Sequence, residues 1–342
     1  MHSQHTENTE NKIPDAAFTE SARDCAVFLK RNQLSRTPAV PAEAMTVTCG
    51  LSTRRFTALL KRILPVQAVF AVLAGIFWAA TGLMDFDWSI RHITGASLWY
   101  IVTLLSLLLG FGCTIFLMIP ARRTRQYRHS PVDLPETLCC FFIAAMLGIH
   151  ALRQFYTLLT TPPASASAIS TMFLSRFAAV GMLLCALYFL LLGLGRRGHF
   201  VTLIAMGACL GNMLVLFRDY FDFSQPLNGP LRNFAMLSYA AMLLFLIAET
   251  RVHVDLWYAD MPFTVLTYCA VLLLCGCTGI GQAVMAFAGY GSFNLIEEAA
   301  FIALAALAFF RLKKLPALIG DHLPPPPTED EVRKMEKKLK KS

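Results

Sequence analysis

Apolar residues run in long stretches along most of this chain, and polar residues collect in the short breaks between them. A helix needs about 18 to 22 apolar residues to cross the hydrocarbon core of a bilayer. The pattern predicts such helices over 66–84, 98–119, 138–158, 172–192, 200–217, 234–247 extended by its flanks, 263–282 and 293–310. The predicted fold class is therefore all-α: a polytopic transmembrane helical bundle of about eight spans. Three regions follow: a polar, largely disordered N-terminal tail over 1–53, a transmembrane domain over 54–315, and a Pro-rich spacer with a charged helix over 316–342.

Within the tail, a candidate helix lies over 21–31, where Ser21 and Asp24 can cap the Ala26-Val27-Phe28-Leu29 run. No apolar signal-peptide core is visible in the first 50 residues, so the first span is expected to serve as its own uncleaved insertion signal.

Composition agrees with a membrane solvent. Of 342 residues 56% are hydrophobic and 15% charged, with a mean hydropathy of +0.54. The net charge of +8 would raise the question of nucleic acid. Its Lys and Arg instead flank the apolar segments, which is a topology signal, and no basic, aromatic folded domain offers a nucleic-acid surface. One side collects Arg54, Arg55, Lys61 and Arg62, then Arg122, Arg123, Arg125 and Arg128, then Arg196 and Arg197, Arg251, and finally Arg311, Lys313 and Lys314. The other side holds only Arg91, Arg218 and Arg232. Both termini are accordingly expected in the cytoplasm, with the protein in the plasma membrane.

Chemistry-bearing motifs are scarce. The sequence holds no His-Glu-x-x-His, no Gly-x-Ser-x-Gly, no phosphate-binding glycine loop and no dinucleotide fingerprint, so neither enzyme activity nor a cofactor is expected. Cys139-Cys140 and Cys275-Gly276-Cys277 lack the neighbouring ligands of a zinc site, and cysteines in apolar segments are expected to pack as small free thiols. Gly276, Gly279 and Gly281, with Ala299, Ala303 and Ala306, offer small faces for close helix contact.

Ionisable residues inside spans are costly and face protein or water. His150, Arg153 and Gln154 share one face of the third predicted helix. His150 falls roughly 12 Å below its outward end, while Arg153, Arg176 and Asn212 fall roughly 6 to 8 Å below theirs. Glu297 and Glu298 sit about 6 Å inside the eighth, and Arg218, Asp219 and Asp222 lie as a lid at the same end. The inward halves carry almost nothing comparable. His150, Arg153, Gln154, Arg176, Asn212, Arg218, Asp219, Glu297 and Glu298 are thus the candidate ligand-binding residues of an outward-facing pocket for a small polar or anionic solute, in transport or in sensing. Only one of Glu297 and Glu298 can face that pocket, because adjacent helical residues point about 100° apart.

A competing reading uses the C-terminus. After Pro324-Pro325-Pro326-Pro327, Thr328 and Glu331 form a capping box opening a helix to about residue 341, acidic first and basic last. Such a tail suits anionic lipid or a cytoplasmic protein partner, which would make the chain a non-catalytic scaffold or subunit.

Overall fold

The computed structural model describes residues 42–89, 92–93, 97–121, 132–160, 166–196, 198–221, 229–253, 261–290 and 295–319. The candidate helix over 21–31, Asp222, and the proline spacer and capping-box helix after residue 323 lie outside the described residues. By its contacts the chain divides into two units, Met1–Thr48 and Cys49–Ser342. The second is described here.

Eight α-helices make up almost all of the described structure: α1 Ala42–Met84, α2 Leu98–Ala121, α3 Leu134–Thr160, α4 Ala166–Gly193, α5 His199–Tyr220, α6 Pro230–His253, α7 Met261–Phe287 and α8 Leu295–Ile319. A two-stranded antiparallel ribbon, β1 Phe86–Asp87 and β2 His92–Ile93, joins α1 to α2 and pairs Phe86 with Ile93. Each helix matches one predicted span but outruns it. α1 continues through Pro65, whose missing N–H removes one helical hydrogen bond without ending the helix. The start of α3 is fixed by Asp133, whose N–H meets the Glu136 carboxylate in a capping-box arrangement, and by Pro135 in the first turn. Where α4 ends, the amides of Gly195 and Arg196 donate to the carbonyls of Leu192 and Leu191, and Gly195 takes φ 65°. This is a Schellman stop, and its left-handed residue is glycine for want of a Cβ.

Packing follows a cycle. From α3 to α8 each helix packs against the next, and α8 closes back on α3. α1 and α2 lie outside this ring against α7: Ala71 faces Gly276, Trp78 faces Gly281, and Leu273 fills the notch of Gly110. Enclosed on both sides, α7 buries 78% of its apolar window, against 28% for α3. Lipid tails solvate apolar side chains well, so close van der Waals contact must hold such helices together. The clearest instance is the α4–α5 crossing, where a Cβ built on Gly181 would lie 2.3 Å from the Gly211 Cα. The ring's middle is filled by buried Leu147, Tyr188, Phe189, Met242, Phe245 and Phe301, with Phe189 stacked on Phe245 at 6.1 Å.

Among the described residues seven helices are long and apolar enough to cross a membrane. α8 is equally long at 25 residues, but Glu297 and Glu298 at its start and Arg311, Lys313 and Lys314 near its end keep it apart from those seven by composition. The ends of the ring are named below by these residues. At the Glu297 end α3 and α5 finish and α4, α6 and α8 begin; the Arg311 end is opposite.

Candidate functional site

The cluster at the Glu297 end is built from four ring helices. Glu297 lies in the first turn of α8, where a carboxylate also complements the helix dipole. Its Oε1 accepts a 2.5 Å hydrogen bond from the Tyr239 hydroxyl on α6, and its Oε2 lies 3.7 Å from His150 Nε2 on α3. Asn212, buried on α5 beside the glycine crossing, donates through Nδ2 to the Tyr239 carbonyl at 2.7 Å. Asn212, Tyr239, Glu297 and His150 therefore link α5, α6, α8 and α3 in one polar chain. Side-chain exposure is 6% for His150 and 18% for Glu297, so the carboxylate is the group that opens outward.

Arg218 and Asp219, in the last turn of α5, pair with each other at 2.7 Å, and Arg218 lies within electrostatic reach of Tyr239 and Glu297. Arg176 sits in the seam between α3 and α4, where Nη2 donates to the Leu158 carbonyl at 3.4 Å and Nε is buried without a hydrogen bond. Gln154 is half-buried, and its Oε1 also lacks a hydrogen bond. Arg153 is exposed on the adjoining face of α3, within electrostatic reach of His150. Glu298 turns away from this group toward Gln282 on α7. The structure thus joins His150, Asn212 and Glu297, places Arg218–Asp219 near them, and leaves Arg153, Gln154 and Arg176 along the neighbouring α3–α4 flank. Tyr239, which holds the centre, escaped sequence reasoning. Its signal was a hydroxyl within an apolar run, since a buried tyrosine usually finds a partner.

The expectation that the inward halves of the spans carry almost nothing comparable is corrected. Arg311 on α8 lies 3.5 Å from Glu136 on α3 and 3.5 Å from Glu249 on α6, and all three are buried. The Tyr268 hydroxyl on α7 donates to Glu249 Oε1 at 2.5 Å. Lys314 adds contacts to Asp133 at 2.8 Å and to Glu136 at 3.7 Å. In sequence Glu136, Glu249 and Arg311 look interfacial because they flank apolar runs. The helices continue past those runs, so the ring encloses them.

In the ring's middle the buried Phe301 packs on Tyr239 at 5.1 Å and the buried Phe245 on Tyr268 at 5.4 Å. Among the described residues no cluster of three or more His, Cys, Asp or Glu side chains suits a metal ion. An open groove of about 270 Å³ runs between α1, α7 and α8, lined only by apolar residues such as Val72, Ile280 and Phe309.

Comparison with protein-family models, with curated proteins and with solved structures finds no match. The class is set by the fold: seven apolar helices of spanning length define a multi-pass integral membrane protein.

Proposed function

We propose that this membrane protein binds a small polar or anionic solute at the Glu297 end of the ring and acts as a sensor of it. The observation that carries this reading is the convergence of His150, Tyr239 and Glu297 from three helices on one partly open carboxylate. A solute that engages Glu297 or His150 competes with contacts that hold α3, α6 and α8 together, so occupancy changes helix packing. Anion preference comes from Arg153, exposed beside His150, and from Arg176, whose Nε has a donor to offer. The packed aromatic residues in the ring's middle support sensing over carriage. The excess of Lys and Arg in the connections at the Arg311 end supports a cytoplasmic position for that end in a plasma-membrane protein, with the solute met outside.

The test is a thermal-shift screen of anionic and polar solutes on the detergent-solubilised protein. A solute at about 100 times its Kd stabilises the fold by about 2.7 kcal/mol, well within detection. Both Arg153→Ala and Glu297→Gln are expected to abolish the shift produced by the active compound. A shift that survives in both variants removes this site from consideration.

A further inference from the structure

The open groove between α1, α7 and α8 has a floor of small residues. Ala71 on α1 and Ala305 on α8 meet Gly276 on α7, and a Cβ added there would lie 3.3 Å from the Ala71 Cβ and 3.7 Å from the Ala305 Cβ. Toward the Glu297 end the helices draw together, with Ile280 filling the space beside Gly75 and Ile302 the space beside Gly279. Toward the Arg311 end the lining runs out to Phe309 and Phe310. Val72 and Ile302 on the rims are exposed, so the groove opens to lipid tails.

Each outer wall leads to a cation. On α1, Lys61, Ala68 and Val72 stand at i, i+7 and i+11; on α8, Ile302, Ala306, Phe309 and Lys313 stand at i, i+4, i+7 and i+11. Each lysine therefore continues the helix face that lines the groove. Counted at about 1.5 Å per residue from the level of Gly276, Lys61 lies about 15 Å and Lys313 about 12 Å toward the Arg311 end. Gly276 stands near the middle of α7, and half of a hydrocarbon core is about 15 Å thick, so both ammonium groups come to headgroup depth together. Both are exposed, and among the described residues neither has a carboxylate within ion-pair distance, whereas the adjacent Arg311 and Lys314 hold Glu136, Glu249 and Asp133.

The occupant must then be apolar along the groove and anionic at its Arg311 end. From Leu272 to Ile280 the lining extends over about 12 Å. A volume of about 270 Å³ spread over that length is a slot much narrower than a helix about 10–12 Å across, but wide enough for a hydrocarbon chain. We infer that the groove binds an anionic phospholipid, with one acyl chain lying over Gly276 between α1 and α8 and the phosphate held by Lys61 and Lys313. The site takes no residue from the His150–Tyr239–Glu297 convergence, so it stands or falls separately from the solute reading.

The test titrates phosphatidylglycerol, or phosphatidylcholine with the same chains, into the delipidated full-length protein in detergent and counts bound lipid by native mass spectrometry. Phosphatidylglycerol should be retained and phosphatidylcholine should not. Replacing both cations, Lys61→Ala with Lys313→Ala, should weaken retention about thirtyfold, the loss of two lysines' attraction to an anionic headgroup. Lys61→Arg with Lys313→Arg should keep it. Ala306→Phe, which fills the slot and leaves both lysines in place, should also abolish retention; Ala68→Phe does the same from the opposite wall and replaces it should Ala306→Phe fail to fold. The inference is overturned by equal retention of the two lipids, by retention that survives the lysine pair or the filled slot, or by a dimer that the filled slot disperses, which would give the groove to a second copy of the chain.

Discussion

The two ends of the ring solve one problem, a carboxylate enclosed among helices, in different ways. At the Arg311 end the guanidinium stands between Glu136 and Glu249, and a tyrosine hydroxyl closes the remaining oxygen of Glu249, all of it buried. At the Glu297 end a tyrosine hydroxyl meets the carboxylate at the same 2.5 Å, but the neighbour of the other oxygen is a histidine at 3.7 Å, charged only when protonated, and the carboxylate stays partly open. One end is closed by fixed charge; the other is held by a tyrosine hydroxyl and a histidine around a partly exposed carboxylate. Buried ion pairs contribute little net stability but are costly to break, which suits a permanent clasp, whereas an accessible carboxylate beside a histidine suits a responsive site.

The largest effect is expected at the clasp. Arg311→Met leaves Glu136 and Glu249 enclosed without their shared cation and should cost about 3–5 kcal/mol, read as a lower Tm or as loss of folded protein in detergent. Neutralising the whole group with Arg311→Met, Glu136→Gln and Glu249→Gln should recover most of that loss, because the desolvation cost disappears together with the attraction. If the single variant is as stable as the wild type, the contrast between the ends fails.

A sharper comparison uses the two tyrosines, whose hydroxyls make bonds of equal length. Removing a hydrogen bond to a charged group costs about 1.5–3 kcal/mol where no water can replace it. Tyr268→Phe is expected in that range, since Glu249 is fully enclosed. Tyr239→Phe should fall near about 1 kcal/mol, because water can reach Glu297. Equal losses of Tm would show that the exposure of Glu297 has no energetic meaning.

The smallest effect belongs to Lys314, which reaches Asp133, 59% exposed, at the rim of the clasp. Exposed ion pairs contribute about 0–1 kcal/mol, so Lys314→Ala should lower Tm little, and less again in high salt. A loss comparable to that of Arg311→Met would move Lys314 from the rim into the clasp.

Much of the fold could be read from hydrophobic periodicity, because a membrane solvent makes long apolar runs unambiguous: seven of the eight predicted spans fall within a helix, and the eighth, 293–310, overlaps Leu295–Ile319. The small-residue reading also holds, with Gly276 and Gly281 against α1 and Gly279 against α8. The arrangement of helices in a ring was not readable, since periodicity gives faces and not neighbours. The separate directions of Glu297 and Glu298 followed from helical geometry alone. The Arg311 clasp was hidden because charged residues at helix ends look the same whether they face headgroups or one another. A usable signal did exist, since Glu136 and Glu249 are acids flanking apolar runs at an end where basic residues predominate.

The meeting of Gly181 with Gly211 has a mechanical consequence. With main chain against main chain, no interlocking side chain gears one helix to the other at that point, and neither can move closer. Asn212, one residue along, ties this crossing to Tyr239, whose hydroxyl in turn holds the Glu297 carboxylate.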